Sequence, residues 1–262
     1  MSEKPWKTAI TSIKPNEIRL RGYRVDELMG RVSLAGGVFL LFHGRLPTPA
    51  EEKLYDAMLL AGIDHGVTPP SAHAARLAAS TGAPLNGALA AGVLCINRHH
   101  GAAIEPAMRM FLYAKDLLEV SRKTPEGFAK EYVRQALEQK KRLSGYGHRV
   151  HADDPRTKRL FELAEEAGKD GTYLKLAQLI GKEVSAQTGK PLPLNVDGAI
   201  AALLCELEFP VEVSNFFFIL PRIAGMAAHY YEEVTREKPM RHIDYSKAEY
   251  DGPPPRGLKE GQ

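Results

Sequence analysis

Hydrophobic positions along the chain fall into two regimes. From residue 8 to 23, Thr8, Ile10, Ile13, Ile18, Leu20 and Tyr23 supply strand formers around Lys14-Pro15-Asn16, which predicts a small β-hairpin. Beyond it the spacing turns helical. Thr48-Pro49-Ala50-Glu51 reads as a capping box with proline at the first helical position, and Leu54, Met58 and Leu59 continue one face. Thr124-Pro125-Glu126 is a second helix start, followed by Phe128, Tyr132 and Leu137. Ile104, Met108, Phe111 and Leu112 keep helical spacing, as do Val196, Ile200, Leu203, Leu204 and Leu207.

Glycine and proline clusters at 66–71, 81–87, 144–147, 189–193 and 252–257 separate these stretches. The tail Gly252-Pro253-Pro254-Pro255 cannot continue a helix and should lie over the surface or fray. Strands do not alternate with helices, and no internal repeat is visible. The pattern predicts an all-α protein with a short N-terminal hairpin and argues against a parallel α/β sheet.

Composition narrows the function classes. The 262 residues allow one large domain or two small ones. No apolar run reaches the ~18–20 residues of a membrane span, and Met1–Pro5 opens no signal-peptide apolar region, so no membrane association is expected. Cys95 and Cys205 both lie in apolar helix-like stretches, which suits buried free thiols and a cytoplasmic location. A net charge of +3 without a basic block argues against nucleic acid but suits an anionic small molecule.

Three glycine-bearing loops carry the candidate chemistry. Gly145-Tyr146-Gly147-His148-Arg149 follows a helix ending at Lys140-Lys141-Arg142. Gly145 and Gly147 let the backbone approach a ligand, and free amides beside Lys141, Arg142 and Arg149 can hold carboxylates or phosphates. A helix end with solvated charges and a surface histidine is the alternative. Asn195-Val196-Asp197-Gly198 opens the helix that runs to about Glu208. Asp197 reads either as its N-cap or as a base aimed into a cleft, the latter only if partly desolvated. Arg98-His99-His100-Gly101 sits between apolar stretches, and one of its histidines is either a satisfied core residue or a donor to a thioester oxygen becoming an enolate. The histidine spacings match no zinc pattern, so no metal is expected. The signatures of an ATP-binding phosphate loop and of a serine nucleophile elbow are missing.

The ordered set of loops, with Asp154-Pro155-Arg156 after the first, resembles the citrate synthase superfamily. The resemblance covers roughly residues 8–252 and is strongest to its short members, citryl-CoA lyase and the C-terminal module of ATP-citrate lyase. It is carried also by Gly37-Val38-Phe39-Leu40-Leu41 with Arg45-Leu46-Pro47, by Asp64-His65-Gly66 with Ser71-Ala72-His73, by Leu220-Pro221-Arg222 and by Arg241-His242. It implies a helical fold with a cleft between a large domain (1–103 and 209–262) and a small one (104–208). By motif match, His100 would stabilise the acetyl-CoA enol, His148 would bond the oxygen on C2 of the other substrate, and Asp197 would exchange the methyl proton. His65, Arg156 and Arg222 would bind the dicarboxylate, with Arg149 a further contact. The loop between His148 and Pro155 is one residue shorter than in the relatives, so Lys158 or Arg159 is the alternative to Arg156. Arg241 resembles the arginine the family lends to a neighbouring subunit, which implies a homodimer or higher homo-oligomer. Lys141, Arg142, Gly145 and Gly147 are the candidate coenzyme A contacts.

The ATP-citrate lyase module carries an aromatic residue where this chain has His100, whereas citrate synthases carry histidine. Lys238 to Pro253 lacks the usual synthase Arg-Pro-Arg tail. His100 is thus a synthase-like member of the triad, whereas the short length, the flanking sequence and the missing tail imply cleavage of citryl-CoA to acetyl-CoA and oxaloacetate. The coenzyme A thioester is then the substrate, and no tightly bound cofactor is needed. The alternatives are a condensing citrate or 2-methylcitrate synthase, or a non-catalytic helical subunit that binds coenzyme A esters. A scaffold, however, has no need of His100, His148 and Asp197 in three glycine-flanked loops.

Overall fold

The structure is a computed structural model that describes residues 6–147, 154–242 and 244–257. The N-terminal segment extends the expected hairpin into a three-stranded antiparallel meander, β1 (Thr11–Lys14), β2 (Glu17–Leu20) and β3 (Tyr23–Arg24). The third strand arises because Arg21 and Gly22 both take left-handed conformations, at φ 48° and 92°, and turn the chain back once more. Ile13 pairs with Ile18 across β1 and β2.

Everything else described is helical or loop. A short turn α1 (Val25–Leu28) leads to α2 (Leu34–His43) and α3 (Pro49–Ala61). The capping box at Thr48 and Glu51 is formed as the sequence predicts. Next come α4 (Pro70–Ser80) and α5 (Leu85–Leu94). Then follow α6 (Ile104–Ser121), α7 (Pro125–Glu138), α8 (Pro155–Glu166), α9 (Thr172–Thr188) and α10 (Val196–Glu206). The long α11 (Phe216–Arg236) ends the helical series. Single 3-10 turns lie at Val211–Val213 and Tyr245–Lys247. Two helices stop earlier than their patterns suggest. α7 ends at Glu138 because Lys140 turns left-handed, and α10 ends at Glu206 because Glu208 does.

Helix α10 is the hub of one packing group. Gly198 to Cys205 is buried without interruption, and the helix packs against α6, α8 and α9. Its C-terminal Glu206 accepts from the amides of Tyr173 and Leu174, which caps α9. Helix α11 organises the other group, lying against α3, α4 and α5. α8 runs along α3, with ion pairs from Lys53 to Glu166 (2.9 Å) and from Lys169 to Glu51 (3.3 Å). One apolar core, from Phe39 and Tyr55 to Phe111 and Ile200, continues across both groups.

One expectation is corrected here. The segment Val211–Arg236 is long and apolar enough to cross a membrane by length and composition. It nevertheless buries Arg222, His229 and Glu233 on a face packed against protein. The thiols also differ from each other: Cys205 is buried and Cys95 only half-buried, and both are free.

Candidate active site

Two of the three loops are one structural unit. The Asn195 amide donates to the Gly145 carbonyl (2.9 Å), and the Gly147 amide donates to the Pro193 carbonyl (2.7 Å). The Asn195 side-chain amide donates in turn to the Gly147 carbonyl (2.9 Å). The close approach that glycine permits here is between the loops themselves. A Cβ on Gly145 would lie 2.7 Å from the Gly198 Cα, and Gly145 is held at φ 89°. Tyr146 anchors the unit by donating to the Ala177 carbonyl (2.8 Å). His148 and Arg149, which follow directly, lie outside the described residues.

This stitching decides what Asp197 does. Asn195 is the N-cap of α10 and accepts from the Gly198 amide (3.0 Å), so Asp197 is not needed as a cap. Asp197 occupies the first turn instead. Burial in its dense surroundings pushes its carboxyl up from 3.8 to about 6, against the pull of Arg156 and Arg222, and Asp154 adds to the rise. The helix N-terminus favours the carboxylate too, so desolvation prevails over three opposing influences.

The two arginines are rigidly held. Arg222 is buried on α11, donates to the Gly62 carbonyl (3.2 Å) and lies 4.5 Å over the Phe218 ring. Burial lowers its pKa, while Asp64 and Asp197 raise it. Arg156, in the first turn of α8, donates to the Ala61 carbonyl (3.1 Å) and to both oxygens of buried Asp154 (3.0 and 2.8 Å). Lys158 is exposed, and Arg159 pairs on the surface with Glu162 and Glu166. Of these three cations, only Arg156 sits with Arg222 beside Asp197.

His100 is placed by a tight turn. Its amide and carbonyl exchange hydrogen bonds with Asn97 (2.7 and 2.8 Å). Its Nε2 lies 2.9 Å from the hydroxyl of fully buried Ser71 on α4, and its ring meets Phe218 edge-on at 5.5 Å. Phe218 thus touches both His100 and Arg222. Gly101, at φ 76°, keeps this approach open, since a Cβ there would come within 2.5 Å of the Phe218 ring. His99 is exposed.

The remaining candidates are more dispersed. His65 is exposed on the turn after α3. Lys141 and Arg142 are exposed beyond α7. Arg241 forms an ion pair with Glu233 of its own chain, and Glu233 also takes Arg76 (2.7 Å). Among the described residues, no group of three or more His, Cys, Asp or Glu side chains is arranged to hold a metal ion. Sequence reasoning missed Phe218 and also His229, whose Nε2 lies 3.1 Å from Asp64. Neither carries a motif, although both lie one or two helical turns from Arg222 on α11.

Residues 47–242 match the family model for the citrate synthase C-terminal domain, and the chain belongs to that family. It is 44% identical to the citryl-CoA lyase of Hydrogenobacter thermophilus, covering 98% of each chain with a TM-score of 0.88. The ATP citrate lyase of Methanothrix soehngenii, solved with citrate and coenzyme A, shares the fold at 23% identity. That match covers 97% of this chain and 43% of that one, with a TM-score of 0.82. The citrate synthase of Heyndrickxia coagulans is 32% identical over 77% of this chain and 52% of its own length. The chain spans about half the length of the curated synthases it matches.

Proposed function

We propose that the chain is a citryl-CoA lyase, cleaving citryl-CoA to acetyl-CoA and oxaloacetate by a retro-Claisen-type step. The observation that carries this reading is the end-to-end likeness to a citryl-CoA lyase at 44% identity, where the Heyndrickxia coagulans synthase is 32% identical and is matched over 52% of its length. Arg156 and Arg222 clamp the carboxylates of the citryl group, with His65 and Arg149 as further contacts. His148 takes the tertiary hydroxyl proton as that oxygen becomes a carbonyl, and the adjacent C–C bond breaks. The electron pair moves onto the thioester as an enolate. His100 donates a hydrogen bond to the enolate oxygen. The Ser71 hydroxyl, 2.9 Å from Nε2, orients the ring. Asp197, as the neutral acid, delivers its proton to the enolate carbon to form the acetyl methyl group. One proton leaves the hydroxyl and one arrives at carbon, so the step balances.

A carboxyl near 6 suits this role, because a usable fraction is protonated near neutral pH. The thioester carries the chemistry and enters as substrate. Closure of the segment 104–208 over the rest excludes water from the cleft, and Lys141 and Arg142 contact the coenzyme A phosphates. Assembly into a homodimer would cover exposed Leu77 on α4, Leu85 on α5 and Val234 on α11, and would bring Arg241 to the neighbouring site. The two free thiols fit a cytoplasmic enzyme. The rival reading, a condensing synthase, is tested by supplying acetyl-CoA with oxaloacetate. Sustained release of free thiol overturns the lyase assignment.

A further inference from the structure

One face of α11 grips the turn that carries His65. Arg222, Gly225, His229 and Glu233 recur at helical spacing and are all buried. The first three meet consecutive parts of the chain after α3. Arg222 holds the Gly62 carbonyl. Gly225 lets the backbone come so near that a Cβ there would lie 2.3 Å from the Ile63 carbonyl oxygen and 3.1 Å from the Asp64 Cβ. His229 Nε2 lies 3.1 Å from Asp64 Oδ1. A carboxylate only accepts, so Nε2 carries the proton and donates.

Asp64 is the working part of the turn. Its Oδ2 accepts from the Gly66 amide (2.8 Å), closing the loop over His65, while Oδ1 is taken by His229. Burial pushes the Asp64 carboxyl upward, but the amides of Gly66 and His65 and the nearby His229 outweigh it and hold it below its ordinary value. Gly66, at φ 73°, completes the turn. His229 Nδ1 faces Glu232 at 3.9 Å, so the ring is set between two carboxylates.

We propose that His229 is a positioning residue: through Asp64 it fixes the turn that presents His65 to the carboxylate end of the substrate. The same helix holds Arg222, so α11 sets two carboxylate contacts in register with each other. A displaced His65 weakens substrate binding while leaving Asp197, on α10, and His100, on its own turn with Asn97, in place. The proposal rests on the reading of His65 as a substrate contact.

The test compares His229→Leu, which removes the donor, with His229→Gln, which retains an N–H. Kinetics with citryl-CoA are paired with amide hydrogen exchange across the whole chain. For His229→Leu the expected result is a KM raised about tenfold with kcat within about twofold, as the loss of one charge-assisted hydrogen bond implies. Exchange should accelerate at residues 63–67 and nowhere else. His229→Gln should recover most of both effects. An unchanged KM in His229→Leu, or faster exchange along all of α11, overturns the proposal in favour of a purely structural histidine. If the wild-type protein does not turn over citryl-CoA, the functional reading fails, and the exchange data still decide whether His229 fixes the turn.

Discussion

Arg156 and Arg222 reach from two different helices to consecutive carbonyl oxygens, those of Ala61 and Gly62 at the end of α3. Each is a permanent cation held by a neutral backbone group, and Arg156 also has a full carboxylate partner in Asp154. A guanidinium anchored this way keeps charge and donors for a ligand. Replacing Arg222 by Gln should weaken binding of the acid by about 2–4 kcal/mol, some 30- to 1,000-fold in KM. Arg222→Lys should recover little, because a point charge cannot span Gly62 and a carboxylate together. Steady-state kinetics with citryl-CoA and titration with oxaloacetate check both.

Asp197 makes a prediction in pH. Its carboxyl sits near 6 because of burial, so only its protonated form can deliver a proton to carbon. Lyase kcat/KM should therefore fall about tenfold per pH unit on the alkaline side of that value. A profile flat from pH 6 to 9 contradicts the assignment.

The same group makes a prediction in stability. A carboxyl whose pKa is higher folded than unfolded contributes most below its unfolded value. That contribution is lost as pH rises through the folded value. Asp197→Asn mimics the protonated form, so it should stabilise the protein by about 1–3 kcal/mol above pH 6, with the gain vanishing near pH 4. Urea unfolding of the two proteins across this range measures it. Destabilisation at neutral pH would mean that Asp197 does supply a cap after all.

Ser71 and His100 give a kinetic test of orientation. Ser71→Ala removes the partner of Nε2 without altering the core volume much. It should lower kcat about 10- to 100-fold while leaving KM near the wild-type value. Equal loss of affinity and turnover would show that the serine supports the cleft more broadly.

Much of this site was legible in the residues alone. Thr48 and Glu51 announced their helix because a capping box is local chemistry, four residues long. Asn195 and Asp197 were harder to separate: both can cap, and only the bond from Gly198 to Asn195 decides between them. The pattern marks Gly145 for a close approach, and its bare Cα also faces Gly198, a contact set by the fold and not by spacing. Phe218 and His229 carry no local signal. Their partners, His100 and Asp64, lie more than a hundred residues away, and one helix brings them together. The third strand went unpredicted because Arg21 gives no hint that it will adopt a left-handed turn.

The most direct test of the account is the rate at which the protein and its Asp197→Asn variant form oxaloacetate from citryl-CoA, followed beside free thiol. The account predicts steady oxaloacetate formation by the wild type without thiol release. It also predicts a folded Asp197→Asn variant slower by about 100- to 10,000-fold. Wild-type rates in the variant, or thiol release keeping pace with turnover, would contradict it.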